Sequence, residues 1–210
     1  MRRAELDLRL IVITDVRLAQ PRAVESVVYM ALEAGAPAVQ LRDKTATARD
    51  LFDQAVTLRD LTSAFGALLF INDRMDVALA ARADGVHLGP DDMPLAAARR
   101  TAPASLLIGW STDDPDQART AEAQGADYIG CGAVFGTTSK DLADEQIGPV
   151  GLQRVVQAVS LPVVGIGGID ITNIAEVVRA GAAGAAVIRA VMAAPDVAGA
   201  VGALLRAFPH

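Results

Sequence analysis

The sequence predicts an α/β fold, a single (β/α)8 TIM barrel spanning residues 1–210, and three observations carry that reading. The first is an internal echo in which a small-residue helix stop runs into a short apolar strand. Ala34-Gly35-Ala36 leads into Val39-Gln40-Leu41, and Ala83-Asp84-Gly85 into Val86-His87-Leu88. Gly125-Ala126-Asp127 leads into Tyr128-Ile129-Gly130, and Ala180-Gly181-Ala182-Ala183-Gly184 into Ala185-Ala186-Val187-Ile188. The second is a set of four further apolar runs, 10–14, 68–72, 106–111 and 163–167, which brings the strands to eight. The third is the absence of any linker or shift in composition between them.

Each element has a local reason. The apolar runs are too short for helices and too continuous for half-exposed strands, so they read as strands buried on both faces. Helical periodicity separates them over 23–34, 48–64, 115–123, 150–159 and 174–180, for about eight helices in all. Pro21, Pro94 and Pro115 stand where a first helical turn tolerates proline. The glycines of the four echoes, Gly35, Gly85, Gly125 and Gly181, offer left-handed helix exits without a Cβ clash. A doubly wound open sheet is the alternative arrangement of the same elements.

Composition narrows the function classes. The chain has 210 residues, 52% hydrophobic and 21% charged, within the range of ordinary globular domains. One cysteine, Cys131, excludes an intramolecular disulfide framework and a cysteine-based zinc site. Two histidines, His87 and His210, cannot build a three-histidine metal centre. A net charge of −6 argues against a surface that coats nucleic acid. Arg2, Arg3, Glu5, Asp7 and Arg9 interrupt the first ten residues, so no signal-peptide core is read there. No stretch approaches the roughly 20 apolar residues of a membrane span. A soluble, cytoplasmic protein is expected.

In a barrel, chemistry collects just past the carboxyl ends of the strands. Polar residues stand there repeatedly: Gln40, Arg42 and Lys44, then Asn72 and Asp73, then Asp91 and Asp92, then Ser111. Strand alternation sends Gln40, Arg42 and Lys44 to one side, and two cations beside an amide suit a polyanion such as a diphosphate. A solvated charge run is the plainer alternative. Asp43, on the other side, reads as structural, with its backbone still within reach of a ligand. Asp73 and Asp92 end neighbouring strands, and two carboxylates converging with phosphate oxygens are a common way to hold Mg2+. Asp73 could instead cap the helix that follows.

Phe135-Gly136-Thr137-Thr138-Ser139-Lys140, followed by Asp141, Asp144 and Glu145, reads as a hydroxyl-rich lid. Gly165-Ile166-Gly167-Gly168-Ile169 is not a dinucleotide fingerprint, because Asp170 stands where the third glycine belongs. Gly168 and Ile188-Arg189 suit instead the phosphate-binding loops that follow strands seven and eight. Ser111 has no histidine at a triad spacing, so a serine nucleophile is not expected. His87, inside an apolar run, reads as a core histidine rather than a base.

Six of these segments resemble, in order, the thiamine phosphate synthase (thiamine-phosphate pyrophosphorylase) family. They are Gln40-Leu41-Arg42-Asp43-Lys44, Ile71-Asn72-Asp73-Arg74, Gly85-Val86-His87-Leu88-Gly89 with Asp92, Ile108-Gly109-Trp110-Ser111-Thr112, Thr137-Thr138-Ser139-Lys140 and the glycine segment 165–169. The likeness runs over residues 8–190. It implies a transferase that joins hydroxymethylpyrimidine diphosphate to hydroxyethylthiazole phosphate, or its carboxylated form, through a dissociative pyrimidinyl cation. Pyrophosphate and thiamine phosphate would be the products.

The same resemblance implies that Gln40, Leu41, Arg42, Asp43, Lys44, Asn72, Ser111 and Lys140 contact the pyrimidine diphosphate. Of these, Arg42, Lys44, Ser111 and Lys140 would be catalytic. Thr137, Thr138, Ser139, Gly168, Ile188 and Arg189 would hold the thiazole phosphate, and Asp73 and Asp92 a Mg2+ cofactor. Small phosphorylated substrates are the implied partners, with neither nucleic acid nor membrane, and self-association into a homo-oligomer stays open. Pro90, Asp113, Gly136 and Arg189 depart from the family's usual Gln, His, Pro and Ser. Three other readings stay open at this point: a thiazole tautomerase-like isomerase of the same fold, another phosphate-binding barrel such as a sugar-phosphate epimerase, and a non-catalytic phosphate-ligand barrel.

Overall fold

Eight parallel strands close on themselves in sequence order in the computed structural model, which describes residues 6–136 and 146–208. The strands among these residues are β1 (Leu10–Ile13), β2 (Ala38–Leu41), β3 (Leu68–Asn72) and β4 (Gly85–Leu88), then β5 (Leu107–Ser111), β6 (Tyr128–Cys131), β7 (Val163–Ile166) and β8 (Gly184–Val187). The last strand pairs back to the first, Ile11 opposite Ala186. That closure excludes the open doubly wound sheet.

The helices lie outside: α1 (Val16–Ala19), α2 (Val24–Glu33), α3 (Ala48–Phe65), α4 (Met75–Ala80), α5 (Leu95–Thr101), α6 (Pro115–Ala123), α7 (Gly148–Ala158), α8 (Ile174–Arg179), α9 (Arg189–Met192) and α10 (Val197–Leu205). The count among the described residues exceeds the expected eight because the short α1 and α9 follow β1 and β8 directly. Side-chain oxygens of Asp15, Thr47, Asp114 and Asp196 cap α1, α3, α6 and α10 by accepting orphan backbone N–H groups. Pro115 occupies the first turn of α6, whereas Pro94 is itself the cap residue of α5 and Pro21 lies in the turn before α2. No helix among the described residues is long and apolar enough to cross a membrane.

Alternation along the strands divides the apolar residues into two clusters. Leu10, Val12, Val39, Leu69, Ile71, Val86, Ile108, Ile129 and Val163 pack outward under the helices. Ile11, Ile13, Ala38, Leu68, Phe70, Tyr128, Val164 and Ala186 fill the barrel. Three of the four echoed helix exits place glycine in the left-handed region, at Gly35, Gly125 and Gly181. The echo before β4 differs, because Arg82 takes the positive φ there while Gly85 makes room for the Phe70 ring.

Asp84 and Asp127 serve a matched purpose in that echo. Asp84 accepts from the Leu69 N–H at 2.7 Å and from Arg59 at 2.5 Å, and Asp127 from the Ile108 N–H at 2.8 Å and from Arg99 at 2.5 Å. Each carboxylate thus ties one strand's start to its neighbour and to the helix outside. Charge-assisted bonds of this kind are worth more than neutral ones when partly shielded from water.

Candidate active site

The inner face at the carboxyl ends of the strands is polar on one half and apolar on the other. Gln40 on β2, Asn72 on β3, His87 on β4, Ser111 on β5 and Tyr128 on β6 occupy successive strands. Opposite them, Val164 and Ile166 on β7, Ala186 and Ile188 at β8, and Ile11 and Ile13 on β1 form a hydrocarbon wall. The inner face thus offers polar partners on one side and hydrocarbon on the other.

Gln40 is buried, only 4% exposed. Leu41 faces away from the mouth into the helix layer, so its side chain is core and only its backbone is available to a ligand. Thr14 fixes the next residue: its hydroxyl accepts from the Arg42 N–H at 2.9 Å. Asp43 turns back on its own loop, accepting from the Thr45 N–H and hydroxyl and from the Ala46 N–H. Burial alone would raise this carboxyl, but those hydrogen bonds outweigh it and hold it below the usual range. Lys44 extends from the same loop until its ammonium lies 3.9 Å from Asp73 Oδ2.

Asp73 holds a left-handed φ of 62°, and its N–H donates to the His87 carbonyl at 2.9 Å. The cap position of α4 belongs to Arg74 and carries no side-chain capping bond, so the helix-cap role considered for Asp73 is not the one observed. Burial raises the Asp73 carboxyl above the ordinary range, and Asp92 raises it further by repulsion and a shared hydrogen bond. Lys44 and Arg42 pull it down without cancelling that effect. Asp92 is oriented by the Gly89 N–H, which donates to Oδ2 at 2.7 Å, whereas Asp91 is exposed. Two neighbouring carboxylates open to the mouth have the donor chemistry Mg2+ prefers. That ion takes one or two carboxylates and completes its shell with water and phosphate oxygens. Groups of three or more His, Cys, Asp or Glu able to hold a metal are absent among the described residues.

One sequence expectation needs correcting. A histidine does accompany Ser111: His87 Nε2 lies 2.8 Å from Ser111 Oγ, and His87 Nδ1 lies 2.9 Å from the Tyr128 hydroxyl. Neighbouring strands bring together residues that linear spacing keeps 24 apart. The room comes from missing side chains. A Cβ on Gly109 would sit 2.2 Å from the Tyr128 ring and 2.5 Å from His87 Nδ1, and one on Gly130 would meet His87 at 2.8 Å. Period-two alternation puts Gly109 with Ser111, and Gly130 with Tyr128, on the inner face. A glycine two residues from a polar group on adjacent strands was the available signal.

Tyr128 is fully buried, and burial pushes its phenol upward, so it stays protonated. Cys131 is also buried, and its thiol is pushed up to about 12 by burial and then by Asp113, which rules out a reactive thiolate there.

Across the mouth, Gly167 and Gly168 both hold positive φ, 98° and 62°. A Cβ on Gly168 would meet the Gly136 carbonyl at 2.4 Å, so only glycine lets this turn lie against the loop after β6. Phe135 N–H donates to the Gly167 carbonyl at 3.0 Å, and Asn173 Nδ2 to the Gly168 carbonyl at 2.8 Å. Ile188 caps the short α9 and Arg189 begins it, exposed beside the mouth. A short extra helix after the eighth strand is where barrels of this class commonly receive a phosphate. Thr137, Thr138, Ser139 and Lys140 lie outside the described residues.

The family model described as thiamine monophosphate synthase matches residues 10–191. A thiamine-phosphate synthase of Chloroflexus aurantiacus is 48% identical over 192 residues, 91% of this chain and 88% of that protein. The corresponding protein of Pyrococcus furiosus is 51% identical over 190 residues, 90% of this chain and 89% of that one. A solved thiamine phosphate pyrophosphorylase from Pyrococcus furiosus superposes with a TM-score of 0.87 at 47% identity, covering 96% of this chain and 95% of that one. By its family match, its identity to these relatives and its closed barrel, the chain belongs to the thiamine monophosphate synthase family.

Proposed function

We propose that the barrel mouth holds hydroxymethylpyrimidine diphosphate on its polar half and hydroxyethylthiazole phosphate, or the carboxylated thiazole, beside β7 and β8. The chain has thiamine-phosphate synthase activity, by its family and its relatives. The roles given to individual residues are our own reading. The observation that supports it best is the meeting of Lys44, Asp73 and Asp92 at one point of the rim.

Gln40, Asn72 and Ser111 would receive the pyrimidine edge, with Arg42, Lys44 and Lys140 around the diphosphate. Asp73 and Asp92 would hold Mg2+, which neutralises charge on a diphosphate leaving group when bound. Arg42 would add a planar fork to the departing oxygens and Lys44 a point charge. Stabilisation aimed at charge that develops as the bond breaks lowers the barrier most. No strong base is required, since the thiazole nitrogen would capture the pyrimidinyl cation with its own lone pair. The remaining task is positional. Gly168, Ile188 and Arg189 would anchor the thiazole phosphate, with Thr137, Thr138 and Ser139, so that its nitrogen faces the cation. We place this reaction in the cytoplasm.

The test is an assay of pyrophosphate release from both precursors with Mg2+. Release that requires both substrates is the expected result. Turnover of the thiazole alone, without pyrophosphate, would point to an isomerase.

A further inference from the structure

Ser111 is held from behind, and the direction of that support can be worked out. The Tyr128 phenol is enclosed and protonated, so it has one proton to donate and lone pairs to offer. Two groups meet it, the Gln40 side chain and His87 Nδ1 at 2.9 Å. Of the two, an imidazole nitrogen is the stronger acceptor for a phenol proton, which leaves the Gln40 amide to donate to the phenol oxygen. The phenol proton then goes to His87 Nδ1. With Nδ1 accepting, the ring carries its own proton on Nε2, which faces Ser111 Oγ at 2.8 Å. A Ser111 oxygen that accepts from His87 has its hydroxyl proton turned elsewhere, toward the mouth.

We propose that His87 is a positioning residue. In the line Gln40, Tyr128, His87, Ser111, each group donates to the next, and the line ends by fixing Ser111 as a hydrogen-bond donor to an acceptor atom of the pyrimidine diphosphate. The role rests on the reading above that Ser111 meets that substrate. It also explains why a serine beside a histidine is not a nucleophile here. The nitrogen that would take the serine proton already carries one, and the bare nitrogen is committed to a buried tyrosine. Gly109 and Gly130 serve the same end, since a methyl group at either would displace the imidazole that carries the relay.

Two measurements test it. The chain has two histidines, so a 15N-histidine sample carrying H210Q leaves one ring to observe. A single tautomer protonated at Nε2 is expected, giving way to a mixture in Tyr128→Phe; a ring protonated at Nδ1 would overturn the proposal. In kinetics, Tyr128→Phe should lower kcat/KM for the pyrimidine diphosphate roughly five- to tenfold, the worth of one buried hydrogen bond, and leave the thiazole phosphate KM unchanged. In a Ser111→Ala background the same substitution should cost no more than about twofold, because the line then ends on nothing. Equal losses in both backgrounds would mean that Tyr128 acts through the fold, and the positioning role falls.

Silence in both backgrounds with the Nε2 tautomer intact would also overturn the role. In that case the fault would lie in the contact between Ser111 and substrate, not in the relay. If Tyr128→Phe does not fold, His87→Gln and His87→Asn decide. Gln, whose amide reaches where Nε2 stood, should keep more activity than Asn, and the reverse order would overturn the proposal.

Discussion

Lys44 at the end of β2 places its ammonium 3.9 Å from Asp73 Oδ2 at the end of β3, yet the carboxyl still binds its proton more tightly than an ordinary aspartate. The Lys44 side chain is 64% exposed, so water screens most of what its ammonium could contribute. Burial and Asp92 prevail. A divalent cation held there, as proposed above, would relieve the repulsion between the two carboxylates.

That balance makes Asp73 a cost to the ligand-free fold at neutral pH. A carboxyl raised on folding favours the folded state in acid. The contribution is lost as pH rises from the unfolded value through the raised folded one. Asp73→Asn removes the titration, and asparagine tolerates the φ of 62°. Its melting temperature should exceed the parent's by on the order of 2 °C at neutral pH and match it near pH 3. Thermal melts without Mg2+ decide the matter, and an equal gain at both pH values would show that repulsion is not the cause.

Asp73→Ala and Asp92→Ala should each abolish most activity at ordinary Mg2+ and recover part of it when Mg2+ is raised. Because both would act through one ion, the double variant should be little worse than either single one. Initial rates across a Mg2+ titration measure this. Independent, additive losses with unchanged Mg2+ dependence would leave the pair without a shared metal.

Gly109→Ala puts a methyl group into space the Tyr128 and His87 rings already fill. Overpacking of this kind costs about 1–3 kcal/mol, so the denaturation midpoint should fall while the denaturant slope stays the same. Activity should fall more than the fraction unfolded accounts for, because the rings that move are those behind Ser111. A variant as stable as the parent would show that the barrel floor yields more readily than its packing implies.

Arg189 begins α9 beside the mouth. Arg189→Ser should raise KM for the thiazole phosphate several-fold, about what one charge-assisted contact is worth, and spare KM for the pyrimidine diphosphate. Steady-state kinetics with each substrate varied in turn give the answer. Equal shifts in both would place Arg189 outside the phosphate site.

The barrel was legible in the chain because its signals are local. A glycine exit followed by an apolar run marks a helix-to-strand passage wherever it occurs, and the observed strands lie within a residue or two of the runs that announce them. Helix ends were read to a similar margin, as in α3, which runs one residue beyond the expected 48–64 to the left-handed Gly66. The rim residues could be named for a related reason, since alternation and strand order place Gln40, Asn72, Asp73, Asp92 and Ser111 at one end of any such barrel.

By itself, then, the chain determined its elements and the end at which polar groups gather, because each depends on neighbours within a few residues. The β8-to-β1 pairing that closes the barrel came from the tertiary structure. What else lay beyond the chain was direction. Whether Asp73 capped a helix or faced Asp92 turned on a backbone φ set by β3 and α4 together. The side chain of Leu41 faced the helices and that of Asp43 its own loop through packing and hydrogen bonds that linear order does not display. The line from Gln40 through Tyr128 and His87 to Ser111 depended on the register of five strands and on two glycines whose missing side chains leave it room. A hydrogen bond is decided within a few tenths of an ångström and by the orientation of a ring. Only the closed barrel fixes those quantities, by bringing distant strands to one depth.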